Sequence, residues 1–433
     1  MNVNKNIFIF LTMAMVYFIV LTVDLGNNEI FYLSIVLLSQ VLVVKSSEFH
    51  FDSPLLWYTS AVFIYHFSTV ISSAYGFYTY ENKFQSILIY GLIYYTAVTP
   101  LFFINYQKDY SLVWKRIDEA LDKRVLTFFF FLFGSLVLLT NAYFFTSGVS
   151  GKGDAILKGV TKFNFIYNWF SVVAIVTLVS FRNSKYFKFI VVISTLLCLF
   201  TSLNTGERNV LLSFILTLII ISLTLGKLNK KNAVGCILLI ILLIPILQEL
   251  KAVFVKDNID IYSNFEGTPF IIKLLQGEFT SASRNLDWII SRNDDYDYFY
   301  GVNIIKDLII GLSPISTGFQ NTQSWFNTTF FPQVVATGQG YGFSLYGSFY
   351  VSMGYFGLVS MSLIHSILIV IIFNNRAKSY ILFMVSIFMI TPAIYSQRGD
   401  ISVLLSFVIK QNLIPLMLIY FPSMVMRGKV IVR

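Results

Sequence analysis

Apolar residues in this chain form long runs that short polar stretches interrupt. Twelve runs approach or exceed the length that a helix needs to cross about 30 Å of hydrocarbon. They predict membrane spans at residues 7–23, 30–44, 55–72, 85–104, 125–145, 165–181, 189–203, 209–225, 233–247, 350–373, 379–396 and 401–421. No small-x-small cleavage site follows the first run, so we interpret it as an uncleaved helix.

The composition agrees with this pattern. Of the 433 residues, 56% are hydrophobic and 12% charged, whereas soluble domains carry about 25% charged residues. We therefore predict an all-α polytopic membrane protein of about twelve transmembrane helices. Residues 1–247 hold the first nine spans, 248–342 form one large, partly helical loop, and 343–433 hold the last three spans.

Basic residues predict the orientation. With a cytoplasmic N-terminus, the inner segments contain 18 Lys and Arg residues and the five short outer loops contain six. Because short cytoplasmic loops are enriched in Lys and Arg, both termini are expected inside and the large loop outside. The same rule explains the net charge of +9 without a nucleic-acid partner. The 146–164 loop, with three lysines, fits this assignment least well.

Metal and disulfide chemistry are not expected. Cys198 and Cys236 both lie in apolar runs, where a thiol behaves as a small hydrophobe. The three histidines form no Cys/His cluster, so a structural zinc site is not predicted.

The large loop carries ten acidic and six basic residues. Its apolar residues repeat with helical spacing at Ile271, Leu275, Phe279, Ala282, Leu286 and Ile289. The opposite face of that helix holds Lys273, Gly277, Thr280, Arg284 and Asp287. Such a helix either rests on the membrane surface or covers a cavity and directs Arg284 inward. The acids and tyrosines of 291–298 indicate either a solvated turn or a sugar-binding surface.

Two short outer loops, 204–208 and 397–400, each place an arginine beside a glycine and an acid. One interpretation is a pair of tight turns in which Glu207 or Asp400 neutralises the arginine. The other is an anion site formed by Arg208 and Arg398, because a guanidinium binds phosphate oxygens through two hydrogen bonds. Lys410 lies mid-span and is expected to face the bundle interior.

This arrangement resembles the Wzy-type O-antigen (oligosaccharide repeat unit) polymerases. The likeness covers most of the chain as topology: many spans and one long, late loop. As sequence it is confined to 204–208, to 338–357 with Gly338-x-Gly340-x-Gly342 and Gly354-x-x-Gly357, and to 397–400. Ser348 and Ser352 stand where the family pattern often has an acid and an Asn. No carboxylate role is therefore carried over to that helix.

The resemblance implies a GT-C-like architecture in a bacterial inner membrane. A growing glycan on undecaprenyl diphosphate would be transferred, at the periplasmic face, to a lipid-linked repeat unit. A Wzz-type chain-length regulator is a candidate partner, and no cofactor or metal is implied. Arg208, Arg398 and Arg284 would bind the diphosphate where negative charge develops. The candidates for a general base, unranked, are Glu207, Glu278, Asp287 and Asp400.

Three other functions stay open. An O-antigen ligase performs the same chemistry with lipid A core as acceptor, but is expected to use a loop histidine, and His50, His66 and His365 all lie outside the large loop. A lipid-linked oligosaccharide flippase is commonly built from two similar halves, and no internal repeat is evident here. A non-catalytic membrane scaffold would not require the two arginine turns.

Overall fold

A computed structural model describes residues 13–14, 29–48, 50–105, 110–148, 159, 163–205, 208–239, 269–275, 278–315, 317–338 and 340–428. Within these residues the protein is helical and contains no β-strand. The fold is therefore all-α, as the hydropathy pattern predicts.

In the described part of the first half, eight helices have both ends defined. They are α1 (Glu29–Ser46), α2 (Pro54–Ala74), α3 (Lys83–Val98, extended by a 3-10 turn at Thr99–Phe103), α4 (Ser111–Ala120), α5 (Lys123–Thr146), α6 (Asn164–Ser180), α7 (Phe187–Thr205) and α8 (Arg208–Thr224). Residues 230–239 are also helical.

In the described part of the second half there are ten more. They are α9 (Phe270–Leu275), α10 (Glu278–Ser291), α11 (Val302–Leu312), α12 (Thr322–Phe330), α13 (Pro332–Ala336), α14 (Leu345–Asn375), α15 (Tyr380–Phe388), α16 (Ile390–Tyr395), α17 (Ile401–Leu405) and α18 (Ile414–Met426). A π-helix, Ser406–Leu413, joins α17 to α18, and a 3-10 turn, Ser396–Arg398, follows α16.

Among the described residues, seven helical segments are long enough and apolar enough to cross a membrane. They are Pro54–Ala74, Lys83–Phe103, Lys123–Thr146, Phe187–Thr205, Leu345–Lys378, Tyr380–Arg398 and Ile401–Met426. Three shorter apolar helices coincide with the predicted spans at 30–44, 165–181 and 209–225. The predicted span at 7–23 lies almost wholly outside the described residues, as does the second half of 233–247, so the total of twelve stays a prediction.

Polar residues fix where several of these helices begin. Ser53 caps α2 by accepting a hydrogen bond from the amide of Leu55 at 3.2 Å, and Pro54 occupies the first helical position. Asp122 caps α5 through the amide of Arg124 at 2.8 Å. These side chains satisfy amides that have no partner inside the helix, so each polar interruption of the apolar pattern becomes a helix start.

Loops that the charge pattern assigns to the cytoplasm contact one another at one end of the bundle. Arg376 pairs with Asp52 at 2.7 Å, and Arg116 donates to the carbonyl of Lys378 at 2.9 Å. Arg182 pairs with Asp118. We call this the basic end.

Loops assigned to the outside meet at the opposite end. Arg292, the residue after α10, pairs with Glu81 at 2.6 Å, and Asn321 donates to the hydroxyl of Ser402 at 3.2 Å. We call this the loop end. The loops named here therefore contact one another in two separate sets, one at each end of the described bundle.

The predicted helix of 271–289 is present as two helices, α9 and α10. Ala282, Leu286 and Ile289 are buried, as the apolar spacing predicts. On the opposite face, Asp287 is 1% exposed, whereas Arg284 is exposed. Because α10 packs on α2, α3, α14 and the 396–398 turn, it is part of the helical bundle.

The predicted span at 350–373 belongs to the longer helix α14, which breaks at Met353–Gly354. Gly354 has φ +59°, a conformation that favours glycine. Carbonyls opened by the break accept hydrogen bonds from the large loop: the amide of Phe299 donates to Val351 at 3.0 Å and that of Tyr300 to Ser352 at 2.7 Å. The break thus anchors the large loop to the bundle.

Part of the large loop lies beside the last span. Helix α11 packs along α17 and the π-helix, and the ammonium of Lys410 donates to the carbonyl of Ile310 at 2.8 Å. Lys410 therefore points towards the loop end and meets the C-terminal turn of α11, where a cation is favoured. Exposed apolar residues follow one face of α11: Val302, Ile305, Ile309 and Leu312.

Candidate functional site

Arg398 lies at the loop end, in the 3-10 turn that follows α16. Its guanidinium sits 5.0 Å from the ring centroid of Tyr395, and its side chain is half-buried. The preceding residue, Gln397, is fully buried and donates to the carbonyl of Ala393 at 3.1 Å. A buried anchor immediately before the arginine holds the turn in place.

Gly342 packs directly against Arg398. A Cβ at Gly342 would lie 3.1 Å from the carbonyl oxygen of Arg398 and 3.5 Å from its Nε. Asn285, on α10, donates from Nδ2 to the carbonyl of Gly342. The absence of a side chain at position 342 therefore lets the loop backbone approach the arginine turn closely.

Asn327 hydrogen-bonds to both backbone polar groups of Tyr341, the residue before Gly342. Its Oδ1 accepts from the amide of Tyr341 at 2.7 Å, and its Nδ2 donates to the Tyr341 carbonyl at 3.0 Å. The connection between α13 and α14 is thus packed against Asn327 at Tyr341.

Arg284 contacts the same connection from α10. Its guanidinium lies 5.6 Å from the ring centroid of Tyr341, and its side chain is exposed. The structure therefore brings Arg284 and Arg398, which are 114 positions apart in the sequence, to neighbouring residues of one segment, Tyr341 and Gly342. We call these four residues the arginine cluster.

Three predicted site residues fall at the edge of the described chain. Arg208 is the first residue of α8, and α8 packs against α15 and α16, the helices that precede Arg398. Its side chain and Glu207 lie outside the described residues. Glu278 begins α10, and its side chain also lies outside them. Their roles stay predictions.

Asp287 occupies a closed environment between α10 and the α2–α3 loop. It accepts hydrogen bonds from the hydroxyl of Tyr78 at 2.5 Å and from that of Ser86. Burial raises the pKa of the Asp287 carboxyl, and burial next to that carboxylate raises the pKa of Tyr78. These contacts join α10 to α2 and α3, which favours a positioning role for Asp287 over that of a solvent-accessible base.

Asp400 is fully buried and caps α17. Its Oδ1 accepts from Ser402 Oγ at 2.5 Å and from the Val403 amide at 3.2 Å, while Oδ2 accepts from the Gln323 amide at 2.9 Å. Burial raises its pKa. Because both oxygens are engaged, these contacts favour a structural role for Asp400, the connection of the last span to α12.

A carboxylate that the sequence interpretation did not single out, Asp307, accompanies Asp400. Asp307 is fully buried and accepts from the amide and hydroxyl of Thr322, at 2.9 and 2.6 Å. Burial and the nearby charge of Asp400 raise the pKa of Asp307 to about 8. The sequence signal was an acid inside the apolar stretch 302–312, which indicates a buried partner.

None of the three histidines belongs to the arginine cluster. His66 in α2 and His365 in α14 are buried, and His50 lies beside Asp52 at the basic end. Within the described part of the chain no group of three His, Cys, Asp or Glu side chains is arranged to hold a metal ion.

The acidic turn near 291–298 is a solvated turn in the structure. Asp294 and Asp295 lie in an exposed 3-10 turn, and the ring of Tyr296 packs on Trp325 with centroids 5.8 Å apart. Tyr298 donates to Asn293 at 2.6 Å. The aromatic rings are used for packing within the loop.

No protein-family model, curated protein or solved structure matches this chain. Functional inference therefore depends on the residues and their arrangement.

Proposed function

We propose that the protein is a glycosyltransferase that polymerises lipid-linked oligosaccharide repeat units, as the resemblance to Wzy-type polymerases implies. The observation that carries the proposal is the arginine cluster. Arg284 and Arg398 come from distant parts of the chain and lie against adjacent residues, Tyr341 and Gly342. These residues stand at the end of a helical bundle whose described spans have the length and apolarity to cross a membrane.

The chemistry of the reaction explains the need for such a cluster. Transfer of a glycan from undecaprenyl diphosphate breaks the bond between the sugar's anomeric carbon and the diphosphate, so negative charge develops on the leaving group. Guanidinium groups held in place before the reaction stabilise that charge. Arg398 is held by the Tyr395 ring and Gly342, and Arg284 by the Tyr341 ring. Arg208 is the third proposed ligand.

The acceptor hydroxyl requires a proton acceptor, and the contacts at Asp287 and Asp400 favour neither as the base. Glu207 and Glu278 are the remaining candidates. Glu278 begins α10, the helix that carries Arg284, and Glu207 precedes α8. We propose that the base is one of these two glutamates.

Twelve spans, a GT-C-like arrangement, cytoplasmic termini and a location in the bacterial inner membrane complete the proposal. The large loop would then face the periplasm. Loop contacts at the two ends of the bundle support the alternation of sides that this topology requires.

The decisive experiment is extension of purified lipid-linked repeat units by the purified full-length protein, with and without a chelator. We expect a ladder of products that the chelator does not change. Arg398→Ala, Arg284→Ala and Arg208→Ala should each slow extension by roughly 10²-fold, the effect of removing one preorganised charge-stabilising donor. Wild-type ladders from all three variants would overturn the proposal.

Arg292→Ala is the matched control. Arg292 lies one residue after α10, stacks 3.2 Å over the ring of Trp288 and pairs with Glu81. This substitution removes an arginine from the same loop without altering the arginine cluster, so extension should stay within about twofold of wild type.

A deletion in cells distinguishes a polymerase from a ligase. Loss of a polymerase leaves surface glycan one repeat long, whereas loss of a ligase leaves none on lipid A core.

A further inference from the structure

A polar cleft of about 500 Å³ opens at the basic end of the bundle, opposite the arginine cluster. The ends of α6 and α18, the start of α5 and part of α4 form its walls. The lining residues are Asp118, Leu121, Lys123, Ser180, Arg182, Asn183, Ser184 and Arg427. The cleft shares no residue with the proposed catalytic site.

Positive charge dominates this cleft. Arg182 donates two hydrogen bonds to Asp118, one to each carboxylate oxygen, so the charge of Asp118 is compensated within the wall. Lys123 and Arg427 have no acidic partner among the described residues. Arg427 donates from Nη2 to the carbonyl of Leu121, and Lys123 lies 5.6 Å from the ring centroid of Phe181. Among the described residues, no acidic side chain neutralises Lys123 or Arg427, so both can contact an anionic ligand.

Ser180 provides an independent indication of a ligand. Its residue is 6% exposed, and its hydroxyl has no hydrogen-bond partner among the described residues. A buried hydroxyl without a partner is costly. As a lining residue of the cleft, Ser180 can donate to an anion held between Lys123 and Arg427.

The position of the cleft identifies the source of that anion. Lys123 begins one candidate span, Arg427 follows the last residue of another, and Ser180 ends a shorter apolar helix. Beside the cleft, α5 exposes Phe128 and Phe131. Apolar surface continues on α18 as exposed Phe421, Val425 and Met426. The polar cleft suits a lipid headgroup, and the adjoining apolar surface suits its acyl chains.

We propose that this cleft binds the phosphate of an anionic phospholipid in the leaflet at the basic end. The two cations and the Ser180 hydroxyl contact the phosphate oxygens, and the acyl chains lie against α5 and α18. Basic pockets between transmembrane helices recognise anionic headgroups in this way. Free phosphate offers the same oxygens but gains nothing from the apolar surface.

The test measures lipid binding to the purified full-length protein by native mass spectrometry. Phosphatidylglycerol and phosphatidylcholine with identical acyl chains are compared, and inorganic phosphate is added as a competitor. We expect preferential binding of phosphatidylglycerol. The double variant Lys123→Gln/Arg427→Gln should weaken that binding about tenfold or more, because each basic residue near a lipid headgroup contributes substantially. Ser180→Ala, the milder variant, should weaken it about threefold.

Lys115→Gln/Lys188→Gln is the charge-matched control. Both lysines are exposed and lie in the predicted inner segments, but neither lines the cleft, so phosphatidylglycerol binding should stay at the wild-type level. Equal weakening by the control and the cleft variant would overturn the proposal, as would equal binding of the two lipids. Competition by inorganic phosphate at the lipid's own affinity would assign the cleft to free phosphate and also overturn it.

Discussion

Asp307 and Asp400 lie on different elements, and both accept hydrogen bonds from backbone amides at the start of α12. Asp307, on α11, accepts the amide of Thr322 at 2.9 Å, and Asp400, before α17, accepts the amide of Gln323 at 2.9 Å. These are the first two residues of α12. The amides at a helix start favour negative charge, but both carboxyls are fully buried. Burial and, to a smaller extent, repulsion by Asp400 therefore raise the pKa of Asp307 to about 8.

The raised pKa of Asp307 predicts that stability falls as pH rises. An unfolded aspartate ionises near pH 4, whereas folded Asp307 keeps its proton until about pH 8. Between these values the folded state binds the extra proton, so its advantage declines with increasing pH. The melting temperature should drop by about 2–5 °C from pH 5 to pH 8. Fluorescence-monitored melting of the detergent-purified protein measures it.

Asp307→Asn isolates this effect, because the amide keeps an oxygen for the Thr322 amide and cannot ionise. Its melting temperature should depend less on pH than that of the wild type. Glu81→Gln, at an exposed carboxylate, is the control and should leave the wild-type slope unchanged. Identical slopes in wild type and Asp307→Asn would contradict the assignment.

Substitution of Gly342 should disturb the arginine cluster. In Gly342→Ala the new methyl would lie 3.1 Å from the backbone oxygen of Arg398, so the turn must shift, at a cost of about 1–3 kcal/mol. Under the proposed function, glycan chains should become markedly shorter. Melting temperature and product length are the two measurements.

Gly235→Ala is the comparison for that variant. It lies in the helical segment 230–239, with no atom within 4 Å of its Cβ position. Alanine stabilises an exposed helix interior relative to glycine by roughly 0.5–1 kcal/mol, so Gly235→Ala should melt at or slightly above the wild-type temperature. Equal behaviour of the two variants would show that the close approach at Gly342 is unimportant.

Local patterns in the sequence predicted most of the helices. Membrane-length apolar runs are dictated by the bilayer, so each predicted span within the described residues coincides with helix. The arginine turn at 397–400 was also found locally, because a charge beside a glycine between two apolar runs has few interpretations. The proximity of Arg284 to this turn was harder to infer from the sequence. The two arginines are linked through adjacent residues, since Arg284 contacts Tyr341 and Arg398 contacts Gly342.

Features that depend on distant contacts were missed. Asp287 was expected on a polar face, but Tyr78 and Ser86, about 200 positions away, enclose it. The break in α14 depends on Phe299 and Tyr300 donating to its open carbonyls. Helical periodicity reports which residues share a face, and it does not report which part of the protein covers that face.

Removal of one buried carboxylate at the basic end should be severely destabilising. Arg376 is 2% exposed and pairs with Asp52 at 2.7 Å, and the hydroxyl of Tyr110 donates to the same carboxylate at 2.5 Å. Asp52→Asn leaves a buried guanidinium without a counter-charge, at a cost of about 3–5 kcal/mol. The yield of monodisperse protein and its melting temperature should both fall.

An exposed ion pair provides the contrast. Glu81→Gln breaks the pair with Arg292, whose side chains are 44% and 27% exposed, and should cost no more than about 1 kcal/mol. The double variant Asp52→Asn/Arg376→Gln should regain part of the loss, because no unpaired charge stays buried. A double variant as unstable as the two single losses combined would refute this explanation.

Orientation in the membrane can be read from two exposed positions. Lys185 lies at the basic end between α6 and α7, and Asp294 lies at the loop end in the turn after α10. Loop contacts place these residues at opposite ends of the bundle. Cysteines introduced at the two positions should therefore react with a membrane-impermeant maleimide from opposite sides. The positive-inside rule assigns Lys185 to the cytoplasm.

Single cysteines at these positions test the assignment in a Cys236→Ser background, because Cys236 is exposed and Cys198 is buried. In intact cells Asp294→Cys should be labelled, and Lys185→Cys should be labelled only after permeabilisation. The reverse pattern would invert the proposed topology and move the arginine cluster to the cytoplasmic face, where periplasmic polymerisation is impossible. Labelling of both cysteines from one side would contradict the assignment of the loops to two ends. The Arg292–Glu81 and Arg376–Asp52 contacts would then lie on the same side of the bilayer.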